Sequence, residues 1–218
     1  MSLRLVIVGA GGFGRAVYEW VGLSPKHCQD TGIAEVVFID DNPGPITPQA
    51  SVIDTVGNYI PERNDVLLIA VGSPRAKMEI VANLEERDVK YHTFVADQAV
   101  VAPSAVIGAG VVICPGVVID PDVIIDNHSH LNKNCSVGHD SRLGEYSTLS
   151  PLVNVMGGVT LGRKAFVGGS AAILPSLRIE DGSVVGAGAV VTRDVGAGTT
   201  VVGNPAKALV RPKSPAGT

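Results

Sequence analysis

The stretch VIIDNHSHLNKNCSVGHDSRLGEYSTLS, residues 123–150, decides the fold. Every sixth residue in it is aliphatic: Ile125, Leu131, Val137, Leu143 and Leu149. Followed in both directions, the series runs without a slip from Val101 to Val191. Two residues before each member stands a small or β-branched residue, here Ser129, Cys135, Ser141 and Ser147. Glycine often follows the aliphatic position, as at Gly108, Gly138, Gly144, Gly162, Gly168 and Gly186. A six-residue period this long fits neither an amphipathic helix nor an alternating strand. It is the signature of a parallel β-helix. Three hexapeptides close one triangular coil, with aliphatic side chains pointing inward and small residues at the tight corners. The spacing predicts this architecture from about residue 97 to 192.

Upstream the pattern changes. RLVIVG reads as a buried strand, GFGRAVYEWVG as a helix, EVVFID and DVLLIAVG as further strands. SPRAKMEIVANLEERD reads as a helix with Ser73 as its N-cap and Pro74 at its first position. KYHTFV reads as the closing strand, and DDNPGPITPQ, from Asp40 to Gln49, as a Pro/Gly loop. Alternating strands and helices imply a parallel α/β sheet. The domain expectation is therefore an α/β half-Rossmann unit over residues 1–94. An all-β left-handed parallel β-helix with a C-terminal tail is expected over 95–218.

The totals narrow the function. The chain has 218 residues, a formal charge of −4, 45% hydrophobic residues and only 4% aromatics. There is no Lys/Arg cluster, so nucleic-acid binding is not expected. No apolar run is long enough to insert in a membrane. Cys28, Cys114 and Cys135 form no paired motif, which speaks against a disulfide framework or a cysteine-based metal site. The early start of the first strand leaves little room for a signal peptide, so a cytoplasmic location is expected.

Gly9, Gly11 and Gly14 have G-x-G-x-x-G spacing between a strand and a helix. Such a turn can be purely structural. It can also cradle phosphate, because glycines let the backbone approach and the helix N-terminal N–H groups face the anion. A full dinucleotide fold needs two βαβαβ halves, and only one fits before the repeats. A nucleoside diphosphate carrying a sugar suits the space better than a nicotinamide dinucleotide. Candidate substrate-binding residues are Gly12, Phe13 and Gly14 in this loop, Asp40 and Asp41 at the end of the second strand, and Gly72 at the end of a later one. His139, followed by Asp140, is the candidate general base. A neutral imidazole near pH 7 can take a proton from an amine or hydroxyl, and a carboxylate can orient the ring. His27, His92, His128 and His130 read as surface or packing residues.

The order VIVGAGGFGR, VFIDDN, LIAVGSP, the repeats with VGHD, and VVGNPAKAL resembles the bacterial nucleotide-sugar N-acetyltransferase and sialic acid O-acetyltransferase family. These are left-handed β-helix hexapeptide-repeat acyltransferases, and the resemblance extends to about Leu209. It implies acetyl-CoA as co-substrate, no metal, a nucleotide-sugar acceptor and a homotrimer with active sites between subunits. It also implies His139 as base with Asp140 as its partner, and Asn132 in the acceptor pocket. Thr148, Gly157, Gly169 and Ala187 fall along the acetyl-CoA groove, with GNPAKAL near the adenine. Relatives tend to carry a second histidine where this chain has Thr148. The leading expectation is N-acetylation of a nucleotide-linked amino sugar. O-acetylation of a sialic-acid-type sugar is the close alternative, and a non-enzymatic β-helix scaffold the more distant one. A serine acetyltransferase is disfavoured, because its helical N-terminal domain is missing.

Overall fold

A computed structural model describes residues 2–45 and 50–209. Residues 46–49 of the expected Pro/Gly loop, and the tail from residue 210, lie outside the described residues. Strand β1 (Leu3–Val8) leads into helix α1 (Gly12–Gly22), then α2 (Pro25–Thr31), β2 (Ile33–Ile39), β3 (Val52–Asp54), β4 (Asp65–Ile69) and α3 (Pro74–Glu85). The four strands are parallel, in the order β3-β2-β1-β4. All five residues of β4 and four of the six in β1 are buried, which explains their continuous aliphatic runs. Strand order changes direction between β1 and β4, and that switch opens a crevice beyond their carboxyl ends. Helix α3 starts as its sequence indicates, with Ser73 Oγ accepting a hydrogen bond from the Ala76 N–H at 3.3 Å.

From Phe94 onward, two-residue strands recur every six residues and stack as a left-handed parallel β-helix. Partners lie 18 residues apart: Leu131 pairs with Ile113 and Leu149, Val137 with Ile119 and Val155, Leu143 with Ile125 and Leu161. The inward aliphatics from Ile113 to Val191 are at most 1% exposed. The small residues two positions earlier are buried beside them, and polar ones are satisfied by neighbouring coils. Ser129 Oγ donates to the Gly144 carbonyl at 3.0 Å, and Ser141 Oγ to that of Met156 at 3.1 Å.

KYHTFV does not close the first sheet as a single strand. Tyr91 makes one parallel bridge to Leu67, while Phe94–Val95 pairs with Val112–Ile113 of the β-helix. The reason is register. Val95 stands six residues before Val101, so the hexapeptide phase begins there and captures the strand.

Each corner also repeats a backbone feature that composition does not reveal. A left-handed residue recurs every sixth position from Gly110 to Gly188. Glycine, Asp122, Asn134 and Asp140 take this conformation at little cost. His128, Tyr146, Leu152 and Lys164 adopt it too, against a penalty of about 1–2 kcal/mol each. The parallel ladders on both sides over-determine the turn.

The three sheets form the faces of a prism. One face, carrying the outward residues Val112, His130, Thr148 and Phe166, lies against the α/β unit. Val112, His130 and Thr148 are buried there. Lys77 of α3 fastens this contact. It is 0% exposed, and its Nζ donates to the carbonyls of His128 at 2.9 Å and Ser147 at 3.0 Å and to Thr148 Oγ1 at 3.0 Å. Burial pushes its pKa well down, whereas three surrounding oxygens favour the ammonium.

Lys77→Met keeps the length of the side chain but strands the His128 carbonyl and the Thr148 hydroxyl, while the Ser147 carbonyl keeps the backbone N–H of His130. Urea unfolding should show a loss of roughly 1.5–3 kcal/mol, the range for hydrogen bonds to charged groups. An unchanged midpoint would mean that apolar packing alone docks the two units.

Candidate functional site

The crevice at the β1/β4 switch faces the covered side of the prism. Between them lies a cleft of about 360 Å³, lined by Phe13, Gly72, Ser73, His130, Asn132, Thr148, Ser150 and Phe166. Phe13, Gly72, Asn132 and Thr148, singled out separately in the sequence, thus meet in one place. Ser73, His130, Ser150 and Phe166 were not anticipated. His130, Thr148 and Phe166 share one outward column at 18-residue spacing, and that column is readable from the repeat. Which face the α/β unit covers is not.

The glycine loop divides into two kinds of position. Gly9 has a left-handed φ of +105°, and a Cβ on Gly14 would sit 1.8 Å from the Gly9 carbonyl oxygen. Both glycines are required by the strand-to-helix turn itself. Gly11 and Gly12 face open space. Gly11 caps α1 without any side-chain hydrogen bond, so the first turn of α1 presents backbone N–H groups toward the crevice. Asp40 braces the loop: its carboxylate accepts from the N–H of Ala10 at 2.6 Å and of Asn42 at 2.8 Å. Asp41 accepts from the Val56 N–H at 2.8 Å and so anchors the turn after β3.

His139 and Asp140 lie elsewhere, at the corner between the strands Ser136–Val137 and Arg142–Leu143. Those strands belong to the two prism faces that the α/β unit leaves uncovered. His139 Nδ1 and Asp140 Oδ2 are 2.7 Å apart, and both side chains are about two-thirds exposed, at 66% and 67%. Asp140 occupies the left-handed corner position, with φ 59°, which turns its carboxylate back onto the preceding ring. With Nδ1 donating to Asp140, Nε2 carries the free lone pair. The hydrogen bond and charge of Asp140 raise the imidazole pKa above its ordinary value. Gly157, one coil later at the same corner, lies directly beneath the ring: a Cβ there would be 2.7 Å from His139 Nε2. Gly169 and Ala187 stack one above the other on the adjacent corner, and a Cβ on Gly169 would meet only the Pro151 carbonyl at 3.2 Å. Of the sequence-derived residues, Phe13, Gly72, Asn132 and Thr148 line the cleft. Gly12, Gly14, Asp40 and Asp41 form or brace the glycine loop and its neighbouring turn. His139, Asp140, Gly157, Gly169 and Ala187 lie along two corners of the β-helix. Among the described residues there is no group of three or more potential metal ligands. No described helix is long and apolar enough to cross a membrane.

Residues 4–84 match the family described as the PglD N-terminal domain. Solved structures extend the likeness to nearly the whole chain. The acetyltransferase domain of PglB from Neisseria gonorrhoeae FA1090, in complex with acetyl coenzyme A, is 29% identical with a TM-score of 0.87, covering 96% of this chain and 100% of that one. PerB from Caulobacter crescentus, in complex with CoA and GDP-perosamine, is 28% identical with a TM-score of 0.84, covering 95% and 97%. WeeI from Acinetobacter baumannii AYE gives 28% and 0.84, covering 95% and 100%. Curated relatives match over short stretches. The provisionally named acetyltransferase SAR2635 of Staphylococcus aureus (strain MRSA252) is 43% identical over 53 residues, 24% of this chain. The chain spans about a quarter (27%) of that relative's length. The resemblance to nucleotide-sugar acetyltransferases of the left-handed β-helix family is borne out by these matches.

The exposed dyad yields a direct test. Asp140→Asn keeps a side chain able to orient the ring but removes the charge that raises its pKa. A titration of the His139 ring carbons by NMR should move to lower pH in the variant, toward the free imidazole value of ~6.5. An unmoved titration would show that Asp140 does not hold the ring in solution.

Proposed function

We propose that this protein transfers the acetyl group of acetyl-CoA to the amino group of a nucleotide-linked amino sugar. The observation that carries the reading is the cleft itself. A glycine-loop helix N-terminus stands across from the His130, Thr148 and Phe166 column of a β-helix, with a gap sized for a sugar between them. The acetyl-CoA, CoA and GDP-perosamine bound by PglB and PerB support it.

In this reading Gly11, Gly12 and the first turn of α1 receive the pyrophosphate, and Gly72 borders it from the neighbouring strand. Gly14 and Asp40 shape the loop, while Asp41 holds the turn beside it. The sugar extends toward Asn132 and Thr148. His139 Nε2 takes the proton from the acceptor amine as nitrogen bonds to the thioester carbonyl carbon, and Asp140 stabilises the resulting imidazolium. The carbon–sulfur bond breaks, and the CoA thiolate leaves and takes the proton from the imidazolium. The backbone N–H of Gly157 meets the developing oxyanion. The residues present fit a thioester donor: Gly157 leaves the space under Nε2 empty, and Gly169 and Ala187 project nothing beyond a methyl group. Thr148, where relatives tend to carry histidine, offers a hydroxyl instead.

The dyad and the cleft lie on different sides of one prism, so a second copy must bring them together. A homotrimer does this three times over. It would also cover the aliphatic residues left on the two open faces, Val100, Val106, Val118 and Ile124, which are 37–62% exposed.

Two variants separate the halves of the site. His139→Ala should lower kcat by ~10²–10⁴-fold, the usual worth of a positioned base. Gly12→Asp puts a carboxylate where the pyrophosphate belongs without crowding the turn, so it should raise the acceptor KM and spare that of acetyl-CoA. Gly14→Asp cannot serve here, because any side chain at that position strikes the Gly9 backbone. Unfolded, mixed and refolded together, the two impaired variants should regain activity at low acceptor concentration, since some interfaces pair an intact cleft with an intact dyad. Failure of the mixture to recover, with trimers present, would place the whole site in one chain.

A further inference from the structure

One group in the cleft has no part in this scheme. His130 is 1% exposed and lines the cleft wall. Neither of its ring nitrogens has a hydrogen-bond partner. The Ile69 carbonyl at the end of β4 is near enough to favour a proton on the ring, without hydrogen-bond geometry to either nitrogen. Burial, followed by the charges of Lys77 and His128, pushes the pKa well down. The ring is therefore neutral and carries one N–H donor and one lone pair, both stranded. Buried polar atoms are rarely left so, and an exception calls for a cause.

Three neighbours indicate the cause. Phe13, on the glycine loop, lies across the imidazole with ring centroids 5.4 Å apart. Thr148 stands beside His130 in register on the next coil, its hydroxyl held by Lys77 Nζ. Asn132 follows two residues later at the same cleft. The ring thus sits in a largely apolar cleft beside two of its few polar side chains, Thr148 and Asn132, beneath a side chain whose backbone belongs to the glycine loop. Phosphate suits the helix N-terminus and would meet no cation in a neutral imidazole. A sugar hydroxyl both donates and accepts, so it can pair with either tautomer.

We propose that His130 is a specificity-determining contact for the acceptor, hydrogen-bonding a hydroxyl of its sugar when Phe13 tilts away as the nucleotide fills the glycine loop. The inference rests on the cleft being the acceptor site. It adds a residue that selects the sugar and couples that selection to nucleotide binding.

The experiment uses the full chain and a panel of UDP-, dTDP- and GDP-linked amino sugars, each paired with its bare nucleoside diphosphate. His130→Phe preserves an aromatic ring under Phe13 and removes both stranded nitrogens. Its melting temperature should equal or exceed that of the wild type, because an unsatisfied polar pair is gone. It should bind bare diphosphate and acetyl-CoA normally but the cognate sugar nucleotide about tenfold more weakly, the scale of one hydrogen bond. In the wild type, the imidazole ¹⁵N resonances absent from the His130→Phe spectrum should shift with the sugar nucleotide and not with the diphosphate. Unaltered sugar-nucleotide affinity in His130→Phe, or unmoved resonances at saturation, overturns the role of His130 while leaving the acceptor cleft standing. If the wild type binds no member of the panel, the acceptor reading falls and this inference with it.

Discussion

The site depends on how an α/β unit is held against one face of a β-helix, and a single buried amine bonds directly across that contact. Lys77 reaches from the first turns of α3 to oxygens on two successive coils. Helix α3 begins at the crevice, so fixing its start also fixes Gly72 and Ser73 at the cleft's edge. One of the three acceptors is Thr148 Oγ1, itself part of the cleft wall. Docking and site geometry are therefore the same interaction seen from two sides. An ammonium donates all three hydrogen bonds and leaves the Thr148 hydroxyl proton free to point into the cleft. A neutral amine would donate two and consume that proton. The protonation state of a residue outside the cleft thus sets the polarity of one inside it.

The β-helix was legible because its constraint is strictly periodic. An inward position every six residues admits only aliphatic side chains, and the series from Val101 to Val191 records that without a break. The left-handed corners were not legible, because Tyr146, Leu152 and Lys164 give no local sign of such a backbone. Ladder pairing on both sides imposes the conformation, and tertiary constraint overrides local preference. The strand at KYHTFV was misread for a related reason: two sheets compete for it, and the repeat phase, already present at Val95, wins Phe94–Val95.

The glycine loop shows how a motif mixes fold and function. Gly9 and Gly14 are explained entirely by the turn, one by its backbone angle and the other by contact with a carbonyl. Gly11 and Gly12 have no such structural reason: both open onto free space beside Phe13, the loop residue that lines the cleft. Spacing alone cannot separate the two pairs. The second-strand aspartates divide in the same way: Asp40 braces the loop and Asp41 the turn beyond it, a distinction visible only once the hydrogen bonds are known.

His139 raises a harder question than whether it is a base. Its partner, tautomer and raised basicity all suit proton abstraction, yet two-thirds of the side chain faces solvent. In water a carboxylate at 2.7 Å is strongly screened, and a thioester held there would be exposed to hydrolysis. A neighbouring chain laid along this edge would remove both objections, excluding water and strengthening the Asp140 interaction in one step. The same placement would bring a foreign cleft, with Asn132 and Thr148, to the unoccupied side of Nε2. What the single chain leaves incomplete at the corner and exposed on its two faces therefore has one common remedy. Association, on this reading, is part of the catalytic design and not merely a means of burying surface.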